Sequence, residues 1–93
     1  MHPKVTTIAT VSDFAIRIQV PGLRTDAVKL TVEGGDPQVL RVVGNQRDGC
    51  GSFETFVDIP AGFDVALGRA YYWQSVLRID FQRLNKWPIP QFK

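Results

Sequence analysis

The side chains with the most reactive chemistry in this sequence are few, and their surroundings decide what they can do. His2 is the single histidine and Cys50 the single cysteine of a 93-residue chain. A Ser-His-Asp arrangement or an imidazole-based metal site needs the ring fixed beside its partners. His2 lies in a terminal segment with no element to hold it, so neither assembles around it. Cys50 sits between Gly49 and Gly51, with no base in view and a backbone too pliant to hold attack geometry. It reads as an exposed thiol able to link two chains on oxidation, and an enzyme built on it would lose activity in Cys50→Ser. The aspartates Asp13, Asp26, Asp36, Asp48, Asp58, Asp64 and Asp80 fall mostly beside turns or on polar strand faces. Asx side chains bonding nearby backbone account for most of them. Gly34-Gly35-Asp36 and Gly49-Cys50-Gly51 lack the strand-to-helix setting of a phosphate loop. No catalytic residue, metal site or cofactor is expected.

Aromatic side chains offer a different chemistry, that of contact. Tyr71, Tyr72 and Trp73 stand in a row. In a strand successive residues face opposite ways, so at least one ring must point outward. The rings either complete a core and cover its ends or form a binding surface; both roles suit aromatics.

The elements that position these residues have a period of two. Phe14, Ile16, Ile18 and Val20 alternate with Ala15, Arg17 and Gln19, the pattern of a half-buried strand, which Pro21-Gly22 stops. Val28, Leu30 and Val32 alternate with Lys29, Thr31 and Glu33 up to a turn at Gly34-Gly35-Asp36-Pro37. Val39 to Gly44 gives a third strand and Asn45 to Gly51 a loop. Ser52 to Ile59 gives a fourth strand, with Phe53, Val57 and Ile59 on one side and Phe56 on the other, closed by Pro60-Ala61-Gly62. Phe63 to Leu67 reads as a short turn segment. Gly68 to Tyr72 and Val76 to Gln82 pair at the end, and Val5 to Val11 adds an edge strand. No window carries a capped 3.6-residue apolar period. About six to eight short strands with regular turns predict one all-β domain, an antiparallel immunoglobulin-like β-sandwich.

Composition sets further bounds. Hydrophobic residues make up 44% and charged residues 22% of the chain, which is globular composition. The net charge of +2 comes from eleven Lys and Arg spread along the whole sequence. A phosphate-tracking stripe would cluster them, so no nucleic-acid partner is expected. No secretory apolar segment and no stretch of about 18 apolar residues is present, so no membrane partner is expected and the cytoplasm is the expected compartment. A domain this small buries only roughly 60 to 70% of its unfolded surface, so self-association would add stability.

Four segments together resemble the small heat-shock proteins, which carry the alpha-crystallin domain. Val20-Pro21-Gly22-Leu23 followed by Asp26, Val28, Leu30 and Val32 is similar to the family's first conserved segment. Val39 to Arg47 is similar to its Gly-Glu-Arg strand end, and Gly51-Ser52-Phe53 running to Ile59-Pro60 to its phenylalanine-rich strand. Ala70 to Ile79 is similar to its hallmark Ala...Asn-Gly-Val-Leu motif. The resemblance spans residues 13 to 83, in order. The sequence departs from the pattern with Gln74-Ser75 in place of Asn-Gly, Thr55 in place of Arg and Val57 in place of Phe. Without the glycine, a turn with a less demanding backbone is expected at residues 74 and 75, since Ser tolerates positive φ poorly.

The resemblance implies three regions: a short N-terminal arm over 1-12 with an edge strand, a sandwich over 13-83, and a C-terminal tail over 84-93. It also implies an ATP-independent chaperone, not an enzyme, that binds partly unfolded client proteins and prevents their aggregation, and that self-associates as a dimer or larger oligomer. Gln46 to Gly51 is too short for the exchanged strand of bacterial and plant members, which points to pairing of edge strands if a dimer forms. The implied groove for client or tail is lined by Val28, Leu30, Val32, Ala70 and Tyr72. Trp87-Pro88-Ile89 resembles the family's docking tail. Its prolines favour an extended segment with Trp87 and Ile89 on one side; folding back onto its own domain is the alternative. A second functional reading keeps the fold and makes the domain a dedicated adaptor for one folded partner, as in the CS-domain co-chaperones.

Overall fold

The computed structural model describes residues 3–35, 37–46 and 51–84. Seven strands follow in chain order among these: β1 (Lys4–Ala9), β2 (Asp13–Gln19), β3 (Lys29–Glu33), β4 (Gln38–Asn45), β5 (Ser52–Ile59), β6 (Phe63–Trp73) and β7 (Val76–Arg83), with one 3₁₀ turn at Thr25–Ala27. They form two antiparallel sheets, one in the order β1-β2-β7-β6 and the other β3-β4-β5. The sandwich expected from the period-two pattern is present.

The alternation becomes a core because each strand turns its apolar residues to the same interior. Phe14, Ile16, Ile18 and Val20 meet Leu77, Ile79 and Phe81 from one sheet, and Leu40, Val42, Phe53, Val57 and Ile59 from the other. Ile16, Ile18, Leu40, Ile59 and Ile79 are fully buried, each contributing roughly 1.5 to 3 kcal/mol relative to exposure. No polar or charged residue among those described is buried. At Gly44 a Cβ would stand 2.7 Å from the Phe53 ring and 3.1 Å from Leu23, so the side-chain-free position lets that ring and Leu23 close over β4.

Three expectations are corrected. Phe63 to Leu67 is no separate turn: it is the first half of β6, which runs on through a register shift between Asp64 and Arg69. The interruption broke the apolar alternation in the sequence, and pairing with β7 on both sides of it keeps the strand continuous. β1 ends at Ala9, not Val11, because the Thr10 hydroxyl accepts from the backbone N–H groups of Ser12 and Asp13 and closes a tight turn. The third correction is the β6–β7 connection. Gln74 and Ser75 have φ of 50° and 68°, so the turn is as demanding as the one Asn-Gly would make. Trp73 pairs directly with Val76. Positive φ at both positions is the type I′ form of a two-residue link, one of the two that match the right-handed twist of the strands, and it is adopted here without glycine.

Candidate functional site

The site begins at two strands that, among the described residues, each have a neighbour on one side only. β3 is the edge of the three-stranded sheet and β6 the edge of the four-stranded one. Leu30 lies opposite Val42 in register and Ala70 opposite Ile79, both partners being core residues. Leu30 and Ala70 therefore point inward, yet both are exposed, Leu30 to 38%. The two sheets do not close over each other at this margin, and a groove with an apolar floor is left along it.

Leu30 and Ala70 together divide the groove into two hollows. The larger, about 270 Å³, is lined also by Thr25, Val28, Tyr71, Tyr72 and Leu77. The smaller, about 160 Å³, continues past Val65, Gly68, Ile79 and Phe81. Gly68 shapes the second: a Cβ there would lie 2.6 Å from the buried Phe81 ring. The first is shaped by Tyr72, whose hydroxyl donates to the Val20 carbonyl at 2.7 Å and accepts from the Leu23 N–H at 3.3 Å. One phenol thus ties β6 to the Pro21-Gly22 turn and fixes that end of the groove. Val20 N–H also donates to the Ser75 carbonyl at 2.8 Å, so the hairpin end is anchored to the same turn.

Of the groove residues read from the sequence, Val28, Leu30, Ala70 and Tyr72 line these hollows. Val32 is half-buried against the core and lies outside them. Leu77, Val65 and Gly68 were missed. Leu77 reads as core, and Val65 and Gly68 lie within the strand irregularity between Asp64 and Arg69, so no alternation pointed to them. Trp87, Pro88 and Ile89, with His2 and Cys50, lie outside the described residues.

The rest of the surface holds little that could do bond chemistry. Among the described residues no cluster of three or more His, Cys, Asp and Glu could hold a metal ion, and no helix is long and apolar enough to cross a membrane. Ion pairs join Arg24 to Asp26, Arg41 to Glu54 and Arg78 to Asp80. The hydrogen bond that Arg78 donates to Asp80, then the charge of that carboxylate, raises the pKa of Arg78 above its ordinary high value, so this guanidinium stays charged throughout the range of protein stability. Arg83 is a staple: it donates to the Val11 and Thr10 carbonyls at 2.7 and 3.1 Å and lies over the Phe63 ring at 4.7 Å.

The backbone decides the comparison with known proteins. A small heat-shock protein from Xylella fastidiosa matches with a TM-score of 0.81 at 16% identity, over 100% of this chain and 95% of that one. The fold is that of the small heat-shock proteins. HSP18.5 from E. histolytica matches with a TM-score of 0.79 at 17% identity, over 98% and 96% of the two chains. Heat shock protein 16.0 from Schizosaccharomyces pombe gives 0.79 at 16%, over 100% and 96%. No protein-family model and no curated protein matches the sequence itself. The alpha-crystallin-type sandwich is thus formed by a sequence only 16–17% identical to these small heat-shock proteins.

Proposed function

We propose that this protein is a divergent small heat-shock-type chaperone that holds partly unfolded polypeptides, without ATP and without catalysis, in the groove between β3 and β6. The observation that carries this reading is the pair of adjoining hollows on either side of Leu30 and Ala70. Alternate side chains of an extended chain project to one side about 7 Å apart, so a strand laid along the margin offers one apolar group to each hollow. The free edges of β3 and β6 supply backbone partners for it.

The same groove is the proposed seat of Trp87-Pro88-Ile89 from a neighbouring copy, with Trp87 in the larger hollow and Ile89 in the smaller. Asn45 pairs with Ser52, so the β4–β5 link leaves no room for an exchanged strand, and self-association by edge pairing is the mode proposed here. The Xylella fastidiosa protein is reported to have a distinct high order structure; the assembly of this chain is read from its own edges.

The test is light scattering from a heated model client with the protein in several-fold molar excess. Suppression by the native chain and its loss in Leu30→Asp are expected, because a carboxylate in the groove opposes burial of an apolar side chain. Absence of suppression by the native chain refutes the proposal, and recovery of one stoichiometric folded partner in a pull-down would favour the adaptor reading.

A further inference from the structure

The outer face of the four-stranded sheet, turned away from the core, carries a second surface that borders the groove at Tyr71. Arg17 of β2 and Arg78 of β7 lie directly opposite each other, with Tyr71 of β6 opposite Arg78; Gln19, Val76 and Trp73 form the next rung. Like charges directly opposite in a sheet are unfavourable, so the stability of the fold does not account for the pair. The Arg78 Nε donates to Asp80 at 3.0 Å and its guanidinium lies 5.9 Å from the Tyr71 ring centre. Arg17 is exposed and has no ion pair among the described residues. Exposed Lys4, opposite Gln19, adds a further cation at this end.

Trp73 is 70% exposed and Tyr71 48%. Together with Arg17, Gln74, Val76 and Arg78 they bound a shallow hollow of about 240 Å³. Trp, Tyr and Arg are the side chains that most often dominate the energy of protein interfaces. The hairpin holding Trp73 is anchored by the Ser75 carbonyl to β2, so little order has to be gained on binding.

We propose that this face docks a short acidic polypeptide segment, a carboxylate held between Arg17 and Arg78 and a neighbouring apolar side chain laid on Trp73 and Tyr71. The charge decides the sign of the ligand, since guanidinium groups match carboxylates in planar, two-bond geometry. The distribution of charge decides its length. Further along the same face exposed Arg69 stands opposite Asp80 and offsets it, and the next rung is Asp13, Gln82 and Asp64, two carboxylates and no cation, which repel a phosphodiester backbone running down the sheet. The surface meets the larger groove hollow only at Tyr71, which lines both; Arg17, Trp73 and Arg78 belong to the outer hollow alone.

Fluorescence anisotropy of a labelled peptide of glutamates around a central leucine, titrated with the intact protein, tests the proposal. A lysine counterpart and a thymidine oligonucleotide of equal length serve as comparisons. The glutamate peptide is expected to bind and the lysine peptide not to, with affinity falling as salt is added. Arg17→Glu, Arg17→Gln and Trp73→Ala, each checked for native circular dichroism, are expected to weaken binding by about tenfold or more. Leu30→Asp is expected to leave it unchanged, which separates this site from the groove. No binding of the glutamate peptide, unchanged affinity in both Arg17 variants, or tighter binding of the oligonucleotide would each overturn the proposal.

Discussion

Gln74 and Ser75 carry the clearest local conflict between residue type and backbone. Both sit in the left-handed region, where a side chain costs roughly 1 to 2 kcal/mol that glycine avoids. The two-residue hairpin imposes this geometry, and the carbonyl of Ser75 is used to hold β2. Ser75→Gly is therefore expected to raise the unfolding free energy by about 1 kcal/mol, less the extra freedom that glycine gives the unfolded chain. Urea denaturation measures it, and a lower midpoint at unchanged slope would contradict the account. Gly68 is the opposite case, a residue whose missing Cβ leaves room for the Phe81 ring and so for the smaller hollow.

β3 and β6 owe their exposure to their place in the sheets and not to their composition. Val28, Leu30 and Val32 alternate as cleanly as Phe14, Ile16 and Ile18, yet Leu30 is left uncovered while Ile16 and Ile18 are fully buried. β2 lies between two strands, whereas β3, among the described residues, pairs with β4 alone and stands at the margin of its sheet. Fewer buried contacts lower the cost of local opening. Hydrogen exchange should thus release the paired amides of β3 at least about tenfold faster than those of Leu77 and Ile79 in β7. Equal protection would mean that β3 opens only with the whole domain and that the groove is as rigid as the core.

The molecule as a whole rests on apolar burial. No polar or charged residue is buried among those described, and of the three ion pairs there Arg24–Asp26 is exposed while Arg41–Glu54 and Arg78–Asp80 are partly exposed. Such pairs contribute about 0 to 1 kcal/mol each and are screened by salt. The net charge of +2 adds little self-repulsion. Raising the salt from about 0.05 to about 0.5 M is expected to move Tm by less than about 3 °C, while weakening the acidic peptide on the Arg17–Trp73 face. A scan of thermal unfolding by circular dichroism checks the first and anisotropy the second; a large loss of Tm would show that surface charge carries more of the stability than the geometry implies.

The strict alternation around Phe14 and Ile79, with the short turn-bounded strands between them, determined by itself that this chain is a β-sandwich and which faces of those two strands are buried, because a period of two leaves an extended chain only one way to hide its apolar side. The grouping of Val28, Leu30, Val32, Ala70 and Tyr72 as one groove came from the family resemblance and not from the alternation. The sequence could not tell a buried apolar residue from an uncovered one, since Leu30 and Ile16 present the same local pattern and differ only in what the second sheet lays over them. Nor could it show that β6 runs through its irregularity, that the 74–75 turn keeps positive φ without glycine, or that Arg17 and Arg78 meet beside Tyr71. Those depend on register between strands distant in sequence, which only the packed sheets fix.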